Sequence, residues 1–543
     1  MRAGLMGTIG LMVLVFVVAV SLAWPWRETA IADDWAYARM VEHWLKTGSY
    51  QWHPWAAANM PFQIAVGGLF TRVFGNSMAA LRLSSLALAW LGWVAFYLLA
   101  REQGLSAAAA WLLSAAFFCS PLAFHLSFTF LSDVPFLALS TMALWLTTRA
   151  LRKNSYLWML LGSSAAAAAI LVRQFGVALP AGLVLLWIFT PARFKNFGRY
   201  ASGTVLPALA GLWQITAGLS NPSWGARYNR TALLFYWGDW PRMLGEWCWR
   251  LAVILEYLAF FVIPLLVAAL LTGVTKHRQD RLHWSRYLVI GTALLGALAY
   301  GIGRLGKPAL MPFIPWYLEI LKQLPLATRI AVTVLTTAGA VWLAGVFLRR
   351  YAEDWRVLTT GERWLDLATL GYVPMYLLFF QLGDAYLLVF LPWVLIVLGR
   401  RLGPDLLRFK LPVTATAAGL LMLAIIWTRG VLAEEEAYWR GAQQLMDSGI
   451  NADEIYSSWT WVCYHRFDKY LEQIGGENRR DLKEFWGRWL PAQQERARYW
   501  VTAASNPPAA EHWRVLGDIS YRDALCRPRR LFIVRRERPQ QRE

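Results

Sequence analysis

Charge is what this sequence has least of. Only 16% of its 543 residues are Asp, Glu, Lys or Arg, against about a quarter in an ordinary soluble chain. Such a deficit excludes a solvated globular enzyme, and a hydrophobic content of 57% fills the gap. Cysteine is scarce as well. The four present show no C-x-x-C spacing, and the seven histidines form no H-E-x-x-H pattern. Zinc sites depend on those spacings, so no metal site is indicated. No repeat period of about 20 to 50 residues occurs, and there are no matched halves of the kind many transporters carry. A small-residue cleavage site is missing before Trp24-Pro25-Trp26, so the first apolar run is expected to stay as an uncleaved helix.

What is present is a series of apolar runs, each long enough to cross a bilayer core. They lie near residues 5–24, 79–100, 106–122, 133–150, 156–172, 174–190, 201–217, 252–273, 287–302, 328–348, 365–382, 385–399 and 411–428. The expectation is an all-α polytopic membrane protein with about thirteen transmembrane helices. The net charge of +19 does not point to nucleic acid. Its Lys and Arg concentrate in short connections on one side, such as Arg149, Arg152 and Lys153, or Arg400 and Arg401, as the positive-inside rule requires. That alternation puts the N-terminus inside. An odd number of crossings then puts the last segment, 429–543, outside as a small α+β domain with strands expected at Tyr499–Thr502 and Leu531–Val534. Residues 1–428 form the transmembrane domain, with an outer-face loop at 25–78.

That loop holds the most informative stretch, Ala32-Asp33-Asp34-Trp35-Ala36-Tyr37-Ala38-Arg39. Two adjacent carboxylates where an apolar helix meets water are costly to bury. They read either as a catalytic pair or as the cap of a helix starting near Trp35. From Asp34 to Lys46 the apolar spacing is helical and stops at Gly48, which predicts an amphipathic helix in the interface. Residues 62–74 form a second apolar stretch too short to span.

Several of these residues carry a family likeness. Asp33-Asp34-Trp-Ala-Tyr37-Ala38 resembles the Asp-Glu-x-x-Tyr-Ala stretch of bacterial aminoarabinose transferases, which belong with protein O-mannosyltransferase-like glycosyltransferases of the GT-C fold. Met60-Pro61-Phe62-Gln63 through Phe74-Gly75 is similar to the family's His-Pro-Pro-Leu…Phe-Gly segment. Leu81-Arg82-Leu83-Ser84 matches its arginine at the second span, and Ser132-Asp133-Val134-Pro135 resembles its Thr-Asp-x-Pro motif. Arg173-Gln174-Phe175-Gly176 sits where members have Lys-x-x-Gly, and Asp384-Ala385-Tyr386-Leu387-Leu388 is similar to a late Arg-Tyr-Leu-Leu-Pro segment. Asn59-Met60 and Ala385 depart from the pattern, which weakens a specific aminoarabinose assignment.

The resemblance implies a glycosyltransferase that moves a sugar from a polyprenyl phosphate to a hydroxyl of a lipid or envelope glycan. It would act at the outer face of a bacterial cytoplasmic membrane. The alternatives are a protein acceptor or, in another class, a transporter or flippase. Such transfer needs a carboxylate base and cations for the phosphate leaving group. The candidates are Asp33, Asp34 and Asp133 for catalysis, and Tyr37, Arg82, Arg173, Arg304, Lys307 and Tyr386 for substrate. Arg72, Arg227, Arg230 and Arg242 are further outer-face cations. No cofactor is firmly implied, with a divalent cation left open. Finally, Cys463 and Cys526 flank much of the outer domain, where oxidation is permitted, and are expected to pair; two unjoined thiols are the alternative.

Overall fold

A computed structural model describes residues 2–56, 59–190, 197–220, 239–276, 281–314, 316–378, 382–473, 485–503 and 513–537. Arg227 and Arg230 lie outside them. Each of the apolar runs named above carries helix, but not all are straight crossings. Among the described residues, seven helices are long and apolar enough to span a membrane, or up to nine if each of two bent pairs counts once. One pair bends by 63° between Ala107–Phe118 and Pro121–Ser127; the other bends by 84° between Trp240–Phe261 and Ile263–Gly273. Pro121 and Pro264 stand at these breaks, where a missing N–H and a fixed φ stop the preceding helix. Shorter helices at Tyr156–Ile170 and Gln174–Ile188 account for part of the difference from the expected thirteen.

The first elements are α1 (Arg2–Ala23), α2 (Asp34–Thr47), α3 (Pro61–Phe74) and α4 (Met78–Glu102). The next are α5 (Ala107–Phe118), α6 (Pro121–Ser127), α7 (Asp133–Lys153) and α8 (Tyr156–Ile170). Helix α7 is the axis of the bundle. A Cβ on Gly92 of α4 would lie 2.8 Å from Ala138 of α7, and one on Gly162 of α8 would lie 2.5 Å from Thr147 Oγ1. Glycine at those points lets three backbones approach closely, the usual basis of helix association where the hydrophobic effect supplies no force. Helix α1 sits at the edge, with Leu14, Val17 and Leu22 exposed on its lipid side. As the spacing predicts, α2 ends at Gly48, whose φ of 71° is the left-handed conformation that glycine tolerates. Trp44 then packs α2 on α3 where Gly68 leaves room.

One helix, Lys410–Asp447, runs 38 residues, or about 57 Å. That exceeds a hydrocarbon core of about 30 Å, so its second half stands clear and carries the C-terminal domain. A four-stranded sheet of order β1-β2-β4-β3 packs on it, with strands Ile455–Tyr456, Tyr499–Thr502, Trp513–Arg522 and Pro528–Arg536. The first pair is parallel and the others antiparallel, with a bulge between Val515 and Gly517. A Cβ on Gly441 would lie 2.8 Å from Val501, so the sheet sits directly on that helix. The domain meets the first loop through ion pairs Arg27–Glu436 and Arg39–Asp468.

The expected disulfide is absent. Cys463 is buried on the helix Trp459–Gln473, whereas Cys526 is exposed in the turn between β3 and β4, with φ 61°. One side chain faces the core and the other faces away from it.

Candidate active site

One end of the bundle collects the C-terminus of α1, the N-termini of α4 and α7, the C-terminus of α8 and the C-terminal domain. The two adjacent acids there part company. Asp34 is buried: its Oδ1 accepts from Phe130 N–H at 2.9 Å and its Oδ2 from Ile31 N–H at 3.3 Å. It ties the first loop to the segment before α7. Burial, opposed by Arg82 and these N–H groups, pushes its carboxyl up to about 8. Asp33 is only half-buried, and its Oδ1 accepts from Trp55 Nε1 at 2.7 Å. Before it, Ala32 holds φ at 50°, a strained value for a residue with a side chain. That turn lets Asp33 precede α2 while Asp34 turns inward.

Tyr37 follows Asp33 by one helical turn and so shares its face. Burial and then the charge of Asp33 push its hydroxyl well above the usual tyrosine range, with Arg173 acting oppositely and Asp133 adding to the rise. Tyr317 is raised in the same way, by burial first and then by Asp133 and Asp33. Both carboxylates therefore act on both phenols, which puts them around one polar cluster.

At its centre is Arg173, in the short connection after α8. Its Nη2 lies 3.0 Å from Asp133 Oδ1, its Nε donates to Ser132 Oγ at 2.8 Å, and its guanidinium lies 4.5 Å from the Tyr386 ring. The pair is buried, yet Asp133 Oδ1 makes no well-aligned hydrogen bond among the described residues. Tyr376 donates to the Tyr386 carbonyl at 2.7 Å, and Trp316 packs edge-on to the Tyr386 ring. Asp384 holds the far wall, accepting from Leu318 and Ala385 N–H at 2.8 Å and from Tyr317 N–H at 3.1 Å.

Other expected residues lie elsewhere. Arg82, expected at a substrate phosphate, places its donors on the carbonyls of Phe128, Pro25, Arg27 and Thr29, at 2.6 to 2.9 Å. It pins the first loop onto α4. Arg304 and Lys307 are exposed, with Lys307 5.0 Å from the Trp249 ring, and among the described residues nothing links them to the cluster. Arg72 lies over Trp44, and Arg242 beside Glu246. Conversely, Trp55, Tyr317 and Tyr376 belong to the site without having been singled out. The aromatic density of Trp52-His53-Pro54-Trp55 was a usable signal; Tyr317 had none. No group of three or more His, Cys, Asp or Glu is placed for a metal among the described residues.

Residues 58–213, which include Asp133 and Arg173, match the model of the dolichyl-phosphate-mannose-protein mannosyltransferase family. The similarity to that family covers those residues, less than a third of the chain. No curated protein is a significant match in sequence. In structure, the chain is similar to apo ArnT from Cupriavidus metallidurans, with 13% identity, 97% of this chain and 98% of that one covered, and a TM-score of 0.51. ArnT bound to undecaprenyl phosphate has the same identity and coverage, with a TM-score of 0.49. The oligosaccharyltransferase AglB from Archaeoglobus fulgidus, in complex with an inhibitory peptide and a dolichol-phosphate, has 14% identity, coverage of 91% and 69%, and a TM-score of 0.46. The segment similar to that family thus sits in a multi-pass membrane protein of the ArnT-like GT-C fold.

Proposed function

We propose that the chain transfers a sugar from a polyprenyl-phosphate donor to an acceptor hydroxyl at the outer face of the cytoplasmic membrane. The observation that carries this reading is Arg173, largely buried after α8 and held by Asp133 at the head of α7, beside Asp33 and Tyr37. The family match supports the donor class, since that family is named for dolichyl-phosphate-mannose chemistry and its matched segment holds Arg173. In the reaction the acceptor oxygen attacks the anomeric carbon and its proton passes to Asp33. The bond from that carbon to the phosphate oxygen breaks, and the polyprenyl phosphate leaves with the electron pair, its charge balanced by Arg173. Trp55 orients Asp33 through the indole N–H, and Tyr386 supports the guanidinium from its ring face.

Clustering at one end of the bundle favours a transferase over a transporter, whose site lies near mid-bilayer. The N-terminus is then inside and the C-terminal domain outside, so alkaline phosphatase fused after Asp447 should be active. An inactive fusion there would reverse the orientation.

The central test is a strain lacking the gene, complemented with wild type or Asp33→Asn. The deletion should accumulate one polyprenyl-phosphate sugar while one envelope glycan loses that sugar. Asp33→Asn should leave that phenotype, because losing a general base costs about 100- to 10,000-fold in rate. Full complementation by Asp33→Asn would remove it from the catalytic role, and normal lipid-linked sugars in the deletion would remove the function.

A further inference from the structure

A second polar feature lies one wall away from Asp33. A cleft of about 290 Å³ opens between α2, the 50–56 loop and the helix Trp459–Gln473 of the C-terminal domain. That is close to the lower end of ligand pockets, which hold about 300 to 1,000 Å³. Arg39, Glu42, His43 and Lys46 line it from one face of α2, Gln51 and Trp52 from the loop, and Asp468 from the domain. Its floor is organised. Arg39 lies 3.0 Å from Asp468 and 3.5 Å from Glu42, its guanidinium stands over the Tyr464 ring, and Tyr464 donates to Glu42.

The cleft is joined to the reaction centre through packed rings. Trp55, which donates to Asp33, packs on Trp35; Trp35 meets the ring of His53, which lines the cleft. Arg39 follows Asp33 by six positions on α2, a rise of about 9 Å. A ring held in the cleft is therefore too far away to be the one that reacts.

The lining chooses between ligand classes. Glu42 and Asp468 offset Arg39 and Lys46, so the lining holds no excess of positive charge for a phosphate or another anion. Among the described residues that line it there is neither a free strand edge nor a long apolar groove to seat an added peptide. Mixed planar donors and acceptors beside an indole suit sugar hydroxyls, each of which both donates and accepts, with the apolar face of the ring against Trp52.

We propose that this cleft holds a neutral sugar of the acceptor, adjacent to the ring whose hydroxyl reacts at Asp33, so that the acceptor is a glycan. This rests on the transferase reading for its meaning but is tested apart from it. The full chain in detergent is applied to an array of bacterial envelope oligosaccharides, beside Gln51→Ala and Asp468→Asn. Gln51 and Asp468 are exposed, so those variants keep the fold, which their melting temperatures check. Wild type should bind a subset of neutral-sugar glycans, and Gln51→Ala and Asp468→Asn should weaken that binding about tenfold or more. Absence of glycan binding, or equal binding by all variants, would overturn the proposal. Should the deletion strain keep normal lipid-linked sugars, the transferase reading fails while the array result still decides the cleft.

Discussion

Two buried Arg–Asp pairs stand at opposite ends of the bundle, and they are not built alike. In Arg350–Asp366 the side chains are 9% and 0% exposed; in Arg173–Asp133 they are 11% and 2%. Burial does not separate them. Hydrogen bonding does. Asp366 accepts from Arg350 Nε at 3.0 Å and Nη2 at 3.1 Å, and from Trp393 Nε1 at 2.8 Å. That pair is closed on itself, as a buried charge inside a membrane protein must be to survive desolvation. Arg173 reaches its acid through one nitrogen, divides the rest between a serine hydroxyl and an aromatic face, and leaves Asp133 Oδ1 without a well-aligned bond. A guanidinium has five N–H donors, so an arrangement this loose suits an anion that arrives and leaves. The closed pair holds helices together; the loose pair is built to meet a ligand.

The comparison breaks first if the closed pair is dispensable. Arg350→Gln strands Asp366 and should destabilise the protein by about 3–5 kcal/mol, read as a fall in melting temperature in detergent. Restoring Asp366→Asn beside it should recover part of the loss. An unchanged melting temperature in Arg350→Gln would mean the pair does not lock the fold. Arg173→Gln also leaves Asp133 without its cation, so melting should fall too, but by less than in Arg350→Gln because fewer bonds are lost, while transfer drops about 100- to 1,000-fold, the usual cost of one donor aimed at developing charge. A smaller effect sharpens the point. Arg173→Lys keeps the charge but not the fork, and should lose about 1.5 kcal/mol, or roughly tenfold in rate. If Arg173→Lys is as inactive as Arg173→Gln, geometry rather than charge is what the site needs.

The sequence made the amphipathic helix α2 legible because helical spacing and a terminal Gly48 agree with each other. The head of α7 was legible for a similar reason, since Ser132, Asp133 and Pro135 mark a helix start wherever they occur. Arg82 was not. A cation at an outer helix end looks the same in sequence whether it faces a phosphate or four carbonyls, and only the path of residues 25–29 separates the two. The Cys463–Cys526 expectation failed because loop length says nothing about side-chain direction, and here one points into the core. Strand Trp513–Arg522 was missed because exposed Val515 and Leu516, with a bulge before Gly517, interrupt the alternation that signals a strand. The site cluster joins residues 33, 133, 173, 317 and 386, a long-range relation that no local pattern encodes.

Asp34 supplies a third case beside the two pairs. It is 3% exposed, yet among the described residues no cation lies within ion-pair distance of it; its bonds are to two backbone N–H groups. The longer of these, 3.3 Å, meets Oδ2, the oxygen better placed to carry a proton. Burial raises the carboxyl from 3.8 to about 8 in the folded chain. As pH rises, the unfolded chain therefore releases this proton first, and the folded state loses stability relative to it. The contribution is full below about pH 3.8, erodes through the interval up to about 8 and is gone above it. Its slope is at most about 1.4 kcal/mol per pH unit. Asp34→Asn has no proton to lose and keeps one acceptor for Phe130. The melting temperature of wild type should exceed that of Asp34→Asn by most near pH 5, with the gap narrowing steadily to pH 8 and constant from there to pH 9. A gap that stays the same across that range would show Asp34 to be ionised throughout, held by the distant field of Arg82 and not by its neutral form.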